Sequence, residues 1–261
     1  MAAVTAREQA GATGPDARRA SRSTTPREGQ TMTTSLTDDT RDDIPDDTPP
    51  TLRRRAGRFA LWGVPAGILG FAGAAAPRVH WEEGVTNTVA DLEALTSGGF
   101  HRSIVLGLAA TFCLAMLAAG WRRWAENRAP DSLAGRLVGI GMTAAVGAMI
   151  LGYGFYGSLA VYLPGGMDFP SYDLEGLWAV YLFVDFAPFI AWWGVTFAVA
   201  GMAHLALREK VLPRWLGVLA VPFLLAPVGF LAATGLPGFP GVVTPLFLVI
   251  SGVALARSTR V

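Results

Sequence analysis

The chain has 261 residues, 52% of them hydrophobic and 16% charged, with a mean hydropathy of +0.40 and a formal net charge of +1. Because the first fifty or so residues are polar, the remainder is more apolar than that average, which excludes an ordinary soluble domain. The small net charge hides a segregation of sign along the chain, and no basic–aromatic groove for nucleic acid is present.

Residues 1–52 are rich in Thr, Ser, Asp, Arg and Pro and nearly free of aromatic residues, so they cannot bury enough surface to offset chain entropy. A disordered cytoplasmic tail is expected. Its acidic run, Asp38, Asp39, Asp42, Asp43, Asp46 and Asp47, ends before the basic cluster Arg53-Arg54-Arg55. No apolar core with a small-residue cleavage site stands in the first thirty residues, so the first membrane helix is expected to act as its own insertion signal.

Residues 53–261 read as a membrane domain. A hydrocarbon core of about 30 Å needs roughly 20 apolar residues in a helix that satisfies its own amides. Six segments fit, at about 58–76, 103–121, 136–161, 177–205, 214–234 and 240–256, and the fold class expected is all-α, a polytopic bundle of six transmembrane helices. In the first span Gly63 and Gly67 form a small-xxx-small pair. The loop 77–102 that follows is too long for a simple turn, and Val85, Val89, Leu92 and Leu95 recur at helical spacing. They predict an amphipathic helix at about 85–97 lying on the outer surface. The second span holds the only cysteine, Cys113, which excludes an intrachain disulfide and a Cys-based metal site. Small residues line one face of the third span at Gly139, Thr143, Gly147, Gly154 and Ser158, and with Gly63 and Gly67 they predict close helix contacts. Pro65, Pro188, Pro222, Pro227 and Pro245 predict static bends in four spans.

Arginine sets the direction. Arg53–Arg55 and Arg58, then Arg122, Arg123, Arg128 and Arg136, then Arg208, Lys210 and Arg214, and last Arg257 and Arg260 fall in alternate loops. The opposite loops carry only Arg78 and Arg102, against seven carboxylates from Glu82 to Glu175. The positive-inside rule therefore predicts a multi-pass protein of the plasma membrane with both termini cytoplasmic. Trp62, Trp121, Trp124 and Trp215 at inner ends, and Trp81, Tyr162, Tyr172 and Trp178 at outer ends, read as headgroup anchors. The use of Arg over Lys, with abundant Ala and Gly, points to a GC-rich bacterial source.

Asp185 is the only carboxylate well inside a span, where a charge costs roughly 2.5–3.5 kcal/mol on insertion scales. Trp178, Tyr181 and Trp192 fall on or near its helical face. No Lys, Arg or His lies within the spans to pair with it, so it is expected to be protonated or to reach water or a hydroxyl such as Tyr153 or Tyr156. Two readings follow. The preferred one is a structural hydrogen bond between the third and fourth helices; the other is an outward-opening pocket for an organic cation. His80, Glu82, Glu83 and His101 match no metal-motif spacing, and no metal or cofactor is expected. His204 reads as an interfacial anchor at the inner end of its helix.

The block Val211-Leu212-Pro213-Arg214-Trp215-Leu216-Gly217, the long outer loop from Leu95 to Arg102 and the short last helix resemble a broad group of bacterial, actinobacterial-like, six-helix membrane proteins with a domain of unknown function. The resemblance covers about residues 55–260; it implies the fold and the membrane and brings no catalytic residues. The expected function is a non-enzymatic structural or regulatory envelope protein whose partners are the lipid bilayer and a second copy (a homo-oligomer) or another membrane protein. The alternative is a small-molecule transporter or permease component with its pocket around Asp185.

Overall fold

The computed structural model describes residues 58–75, 77–79 and 86–257, and every regular element among them is a helix. The tail 1–52, Arg53–Arg55, His80, Trp81, Glu82 and Glu83 lie outside the described residues. Five helices are long and apolar enough to cross a membrane: α2 (Ser97–Arg128), α3 (Leu133–Tyr162), α4 (Leu174–Leu207), α5 (Arg214–Thr234) and α6 (Pro240–Arg257). Before them α1 (Arg58–Ala74) is shorter and begins with a 3-10 stretch, Arg58–Trp62. Its 3-10 rise of about 2.0 Å per residue, against 1.5 Å in the remainder, brings it close to the thickness of a hydrocarbon core.

α1 packs against α2 and α6, α2 against α3, and α3 against α4, while α5 lies on α4 and touches α6 only lightly. The interior is filled by Trp121, Trp192, Tyr153, Tyr156, Phe100, Met142, Met149 and Phe247, all fully buried. A belt of apolar side chains faces outward instead, among them Ile68, Phe71, Val105, Phe112, Ile140, Val218 and Leu225. An aqueous solvent would penalise so large an apolar surface.

Local chemistry sets the helix ends. Ser132 caps α3, its Oγ accepting the Gly135 N–H at 2.9 Å. α5 stops where Gly235 turns left-handed, φ +73°, and its N–H donates to Leu231 O at 2.8 Å. In the segment expected to hold an amphipathic helix over 85–97, the described residues form a six-residue 3-10 helix, Val89–Ala94, and α2 already begins at Ser97. The Asp91 carboxylate accepts from the Thr88 N–H at 2.6 Å and the Thr88 hydroxyl at 3.2 Å, a capping box that fixes where this short helix starts. Leu92 and Leu95 are buried, so the turn is packed down onto the start of α4.

α4 is broken into Leu174–Val184, Ala187–Ile190 and Trp193–Leu207. Pro188 supplies no N–H and its ring clashes with the carbonyl four residues earlier, that of Val184, where the first piece ends. The expected bend is therefore an interruption of the ladder.

Trp121 and Trp124 do not sit as exposed anchors. Both are buried, and the Trp121 indole donates to Gly135 O of α3 at 3.1 Å. Trp62 and Trp215 do keep exposed rings.

The small-residue contacts divide. A Cβ on Gly63 would meet Leu248 O at 3.0 Å, and one on Gly67 would run into Pro245 O, so both glycines let α1 approach α6. Gly139 approaches only the Arg122 side chain, at 3.1 Å. A Cβ on Gly147 or Gly154 would meet nothing within 4 Å among the described residues, which corrects their assignment to helix packing. The face of α3 that packs is turned away from them and runs through Val138, Gly141, Ala145 and Gly152. Gly147→Leu is accordingly expected to change stability by no more than about 0.5 kcal/mol. A melting curve of the purified variant in detergent checks this.

Candidate functional site

Asp185 and Phe186 fall in the first break of α4. In an unbroken helix the Asp185 carbonyl would accept the Phe189 N–H, but that N–H goes to Phe186 O at 3.0 Å. A carbonyl released in this way away from water needs another donor. The Tyr156 hydroxyl of α3 donates to Asp185 O at 3.2 Å, and Arg78 Nη2 donates to the same oxygen at 3.5 Å.

No basic residue within the spans was expected to pair with Asp185, and Arg78 meets it from outside them, in place of the expected water or hydroxyl. It comes from the segment after α1, and its Nε lies 3.4 Å from Asp185 Oδ1. The carboxylate side chain is 19% exposed and the guanidinium side chain 37%, so the pair is partly covered, the carboxylate more than the guanidinium. The guanidinium carbon also stands 4.4 Å from the Phe189 ring centroid and 5.8 Å from that of Phe186. Beside it the Tyr181 hydroxyl accepts the Val79 N–H at 3.1 Å, and Trp178 stacks on Tyr181 with centroids 5.6 Å apart. One residue pair, Arg78-Val79, is thus held to α4 by five contacts: an ion pair, two hydrogen bonds and two cation–π contacts.

The six residues expected to form one site separate into two groups. Asp185, Tyr181, Trp178 and Tyr156 gather around Arg78. Tyr153 and Trp192 lie deeper: Tyr153 donates to Gly70 O of α1 at 3.3 Å, and its ring lies against Gly107 of α2. Trp192 is fully buried, with its ring edge against Gly70. Its Nε1 has no partner among the described residues. The break after Val184 explains the separation, since helical spacing no longer relates Asp185 to Trp192. Tyr156 reaches the backbone carbonyl of Asp185, and the carboxylate is met by Arg78. Arg78 was legible only as an exception, one of two basic residues in loops otherwise acidic.

At the opposite end, where arginines collect, a second polar cluster was not anticipated. Glu209 Oε1 lies 3.6 Å from His204 Nε2 and accepts from Ser132 Oγ at 2.9 Å. Both groups border an open cavity of about 840 Å³ between the α2–α3 and α4–α5 connections. The carboxylate stands between serine and histidine, so the imidazole is not hydrogen-bonded to the hydroxyl it would have to activate. The cluster ties the two connections together.

No protein-family model, curated protein or solved structure matches the chain. The class of protein is therefore defined by the fold alone: among the described residues every regular element is a helix, and five helices are long and apolar enough to cross a membrane.

Proposed function

We propose that the chain is a polytopic protein of a bacterial plasma membrane, crossing it six times with both termini cytoplasmic, and that it acts without enzymatic activity as a structural or regulatory partner in the envelope. The apolar belt, the near-spanning length of α1 and the alternation of arginine-rich and acidic loops support the topology. The observation that carries the functional reading is the Arg78–Asp185 pair. A carboxylate flanked by aromatic rings would attract an organic cation, but the chain's own guanidinium already occupies that position over Phe189. The carboxylate is paired from within, and the pair joins α4 to the segment after α1.

Two measurements test the reading. In a Cys113→Ala background, Glu93→Cys and Met167→Cys are expected to react with an impermeant maleimide in intact cells, and Asp131→Cys only after permeabilisation; all three positions are exposed. The reverse pattern removes the orientation. In proteoliposomes, uptake of a labelled quaternary ammonium cation is expected to equal that of protein-free vesicles. Uptake that disappears in Asp185→Asn would establish the transporter alternative instead.

A further inference from the structure

Beside the α2–α3 contact, at the arginine-rich end, lies a groove of about 790 Å³. Arg122 and Arg136 border it, and Gly139, Ile140 and Thr143 line its length. Its volume falls within the range of about 300–1,000 Å³ typical of small-molecule sites. Arg136 Nη2 donates to Pro130 O at 3.1 Å, which anchors that side chain at the rim. The stem of Arg122 runs over Gly139, with Cγ 3.1 Å from where a Cβ would stand. Thr143 Oγ1 donates to Gly139 O at 2.8 Å, so its polar atom is engaged within the helix. Two turns beyond Gly139 on the same face is Gly147, where a Cβ would meet nothing within 4 Å among the described residues, so the track of small residues continues uncovered by them.

Among the described residues neither guanidinium is ion-paired, and the one carboxylate bordering the groove, Glu126, is within ion-pair distance of neither. The stripe that fails to pack against another helix is therefore a recess with two guanidinium groups at its mouth that have no carboxylate partner among the described residues.

We propose that this groove binds one anionic phospholipid, its phosphodiester held by Arg122 and Arg136 and an acyl chain laid along Gly139, Thr143 and Gly147. The inference rests on the membrane reading above, which puts this end at the cytoplasmic leaflet. Guanidinium groups match phosphate oxygens in geometry as well as charge, and basic recesses between helices at that depth suit acidic headgroups. Glu126 at the rim repels doubly charged inorganic phosphate more than a singly charged phosphodiester. The apolar floor gives inorganic phosphate nothing to bury.

The test is a native mass-spectrometric titration of the full chain in nonionic detergent with phosphatidylglycerol, phosphatidylcholine and inorganic phosphate as separate probes. One phosphatidylglycerol is expected to be retained, with phosphatidylcholine weaker by about tenfold or more. Arg122→Gln with Arg136→Gln is expected to lower phosphatidylglycerol affinity by about tenfold or more. Arg123→Gln, one residue along but outside the groove, is expected to leave it unchanged, and Gly139→Leu to weaken it by filling the floor. The proposal is overturned if the double variant binds phosphatidylglycerol as the parent does, if Arg123→Gln costs as much, or if inorganic phosphate binds equally well. Those outcomes leave the membrane reading intact. That reading fails separately, if the chain stays monodisperse without detergent.

Discussion

Gly194→Leu is expected to prevent α3 and α4 from closing on each other, at a cost of about 3 kcal/mol or more, and to leave little folded protein after extraction. Overfilling a packed interior usually costs about 1–3 kcal/mol because side chains can shift. Here the obstruction is backbone on both sides. A Cβ on Gly194 would stand 2.5 Å from Ala145 N and closer still to Gly141 O, while one on Gly141 would stand 2.5 Å from Gly194 O and 2.9 Å from Ala198 N. No rotamer relieves a contact with a main-chain atom, so the two helices would have to part along their length. In lipid, helices associate by close approach and dispersion, and separation forfeits that contribution without any compensating hydrophobic gain. Gly147→Leu is the internal control, since it makes the same replacement on α3 in open space. Size-exclusion profiles and melting curves in one detergent check the pair. If Gly194→Leu eluted as a monodisperse species and melted with the parent, the α3–α4 crossing would be wrong.

The contrast between Gly147 and Gly194 marks the limit of what the sequence discloses. Span positions are legible because a bilayer demands a fixed apolar length, and α5, bounded by Pro213 and Gly235, occupies the 214–234 expected of it. The end of α2 was not legible in the same way. Hydropathy falls at Trp121-Arg122-Arg123, but it reports the solvent preferred by side chains, and the backbone ladder continues to Arg128. Nor does a stripe of small residues reveal its neighbour. Gly139, Thr143 and Gly147 have the periodicity of a packing face, yet the packed face of α3 passes through Gly141 and Ala145. Both faces are apolar in a lipid-solvated helix, so polarity cannot tell the protein side from the bilayer side. Asp185 was recognisable as a costly charge, whereas its partner was not. Arg78 is 107 residues away in a connection whose course depends on how α1 and α4 are assembled.

Arg78→Gln is expected to destabilise the chain by about 2 kcal/mol, and Asp185→Asn by less. Removing one partner of a deeply buried ion pair costs about 3–5 kcal/mol, because the other charge is left uncompensated, whereas a fully exposed pair contributes about 0–1. At 19% and 37% side-chain exposure this pair lies between those limits. The two single variants differ because their leftover charges differ. Without Arg78 the Asp185 carboxylate is held by the helix break and cannot leave, and among the described residues the Asp185 carbonyl keeps only the Tyr156 hydroxyl as a donor. Without the carboxylate the more exposed guanidinium can swing toward water or remain over Phe189, and the asparagine amide keeps the shape of the site. The double variant Arg78→Gln, Asp185→Asn should therefore cost less than the two singles combined, with a coupling of about 1–2 kcal/mol. Denaturant titration of the four proteins in a common detergent gives the cycle. Raising the salt concentration should reduce the coupling only partly, since a half-covered pair is screened less than an exposed one. Singles that add to the double within about 0.5 kcal/mol would mean that Arg78 and Asp185 do not hold each other. The carboxylate would then be open to a cation from outside, and the transporter reading would take precedence over the one proposed.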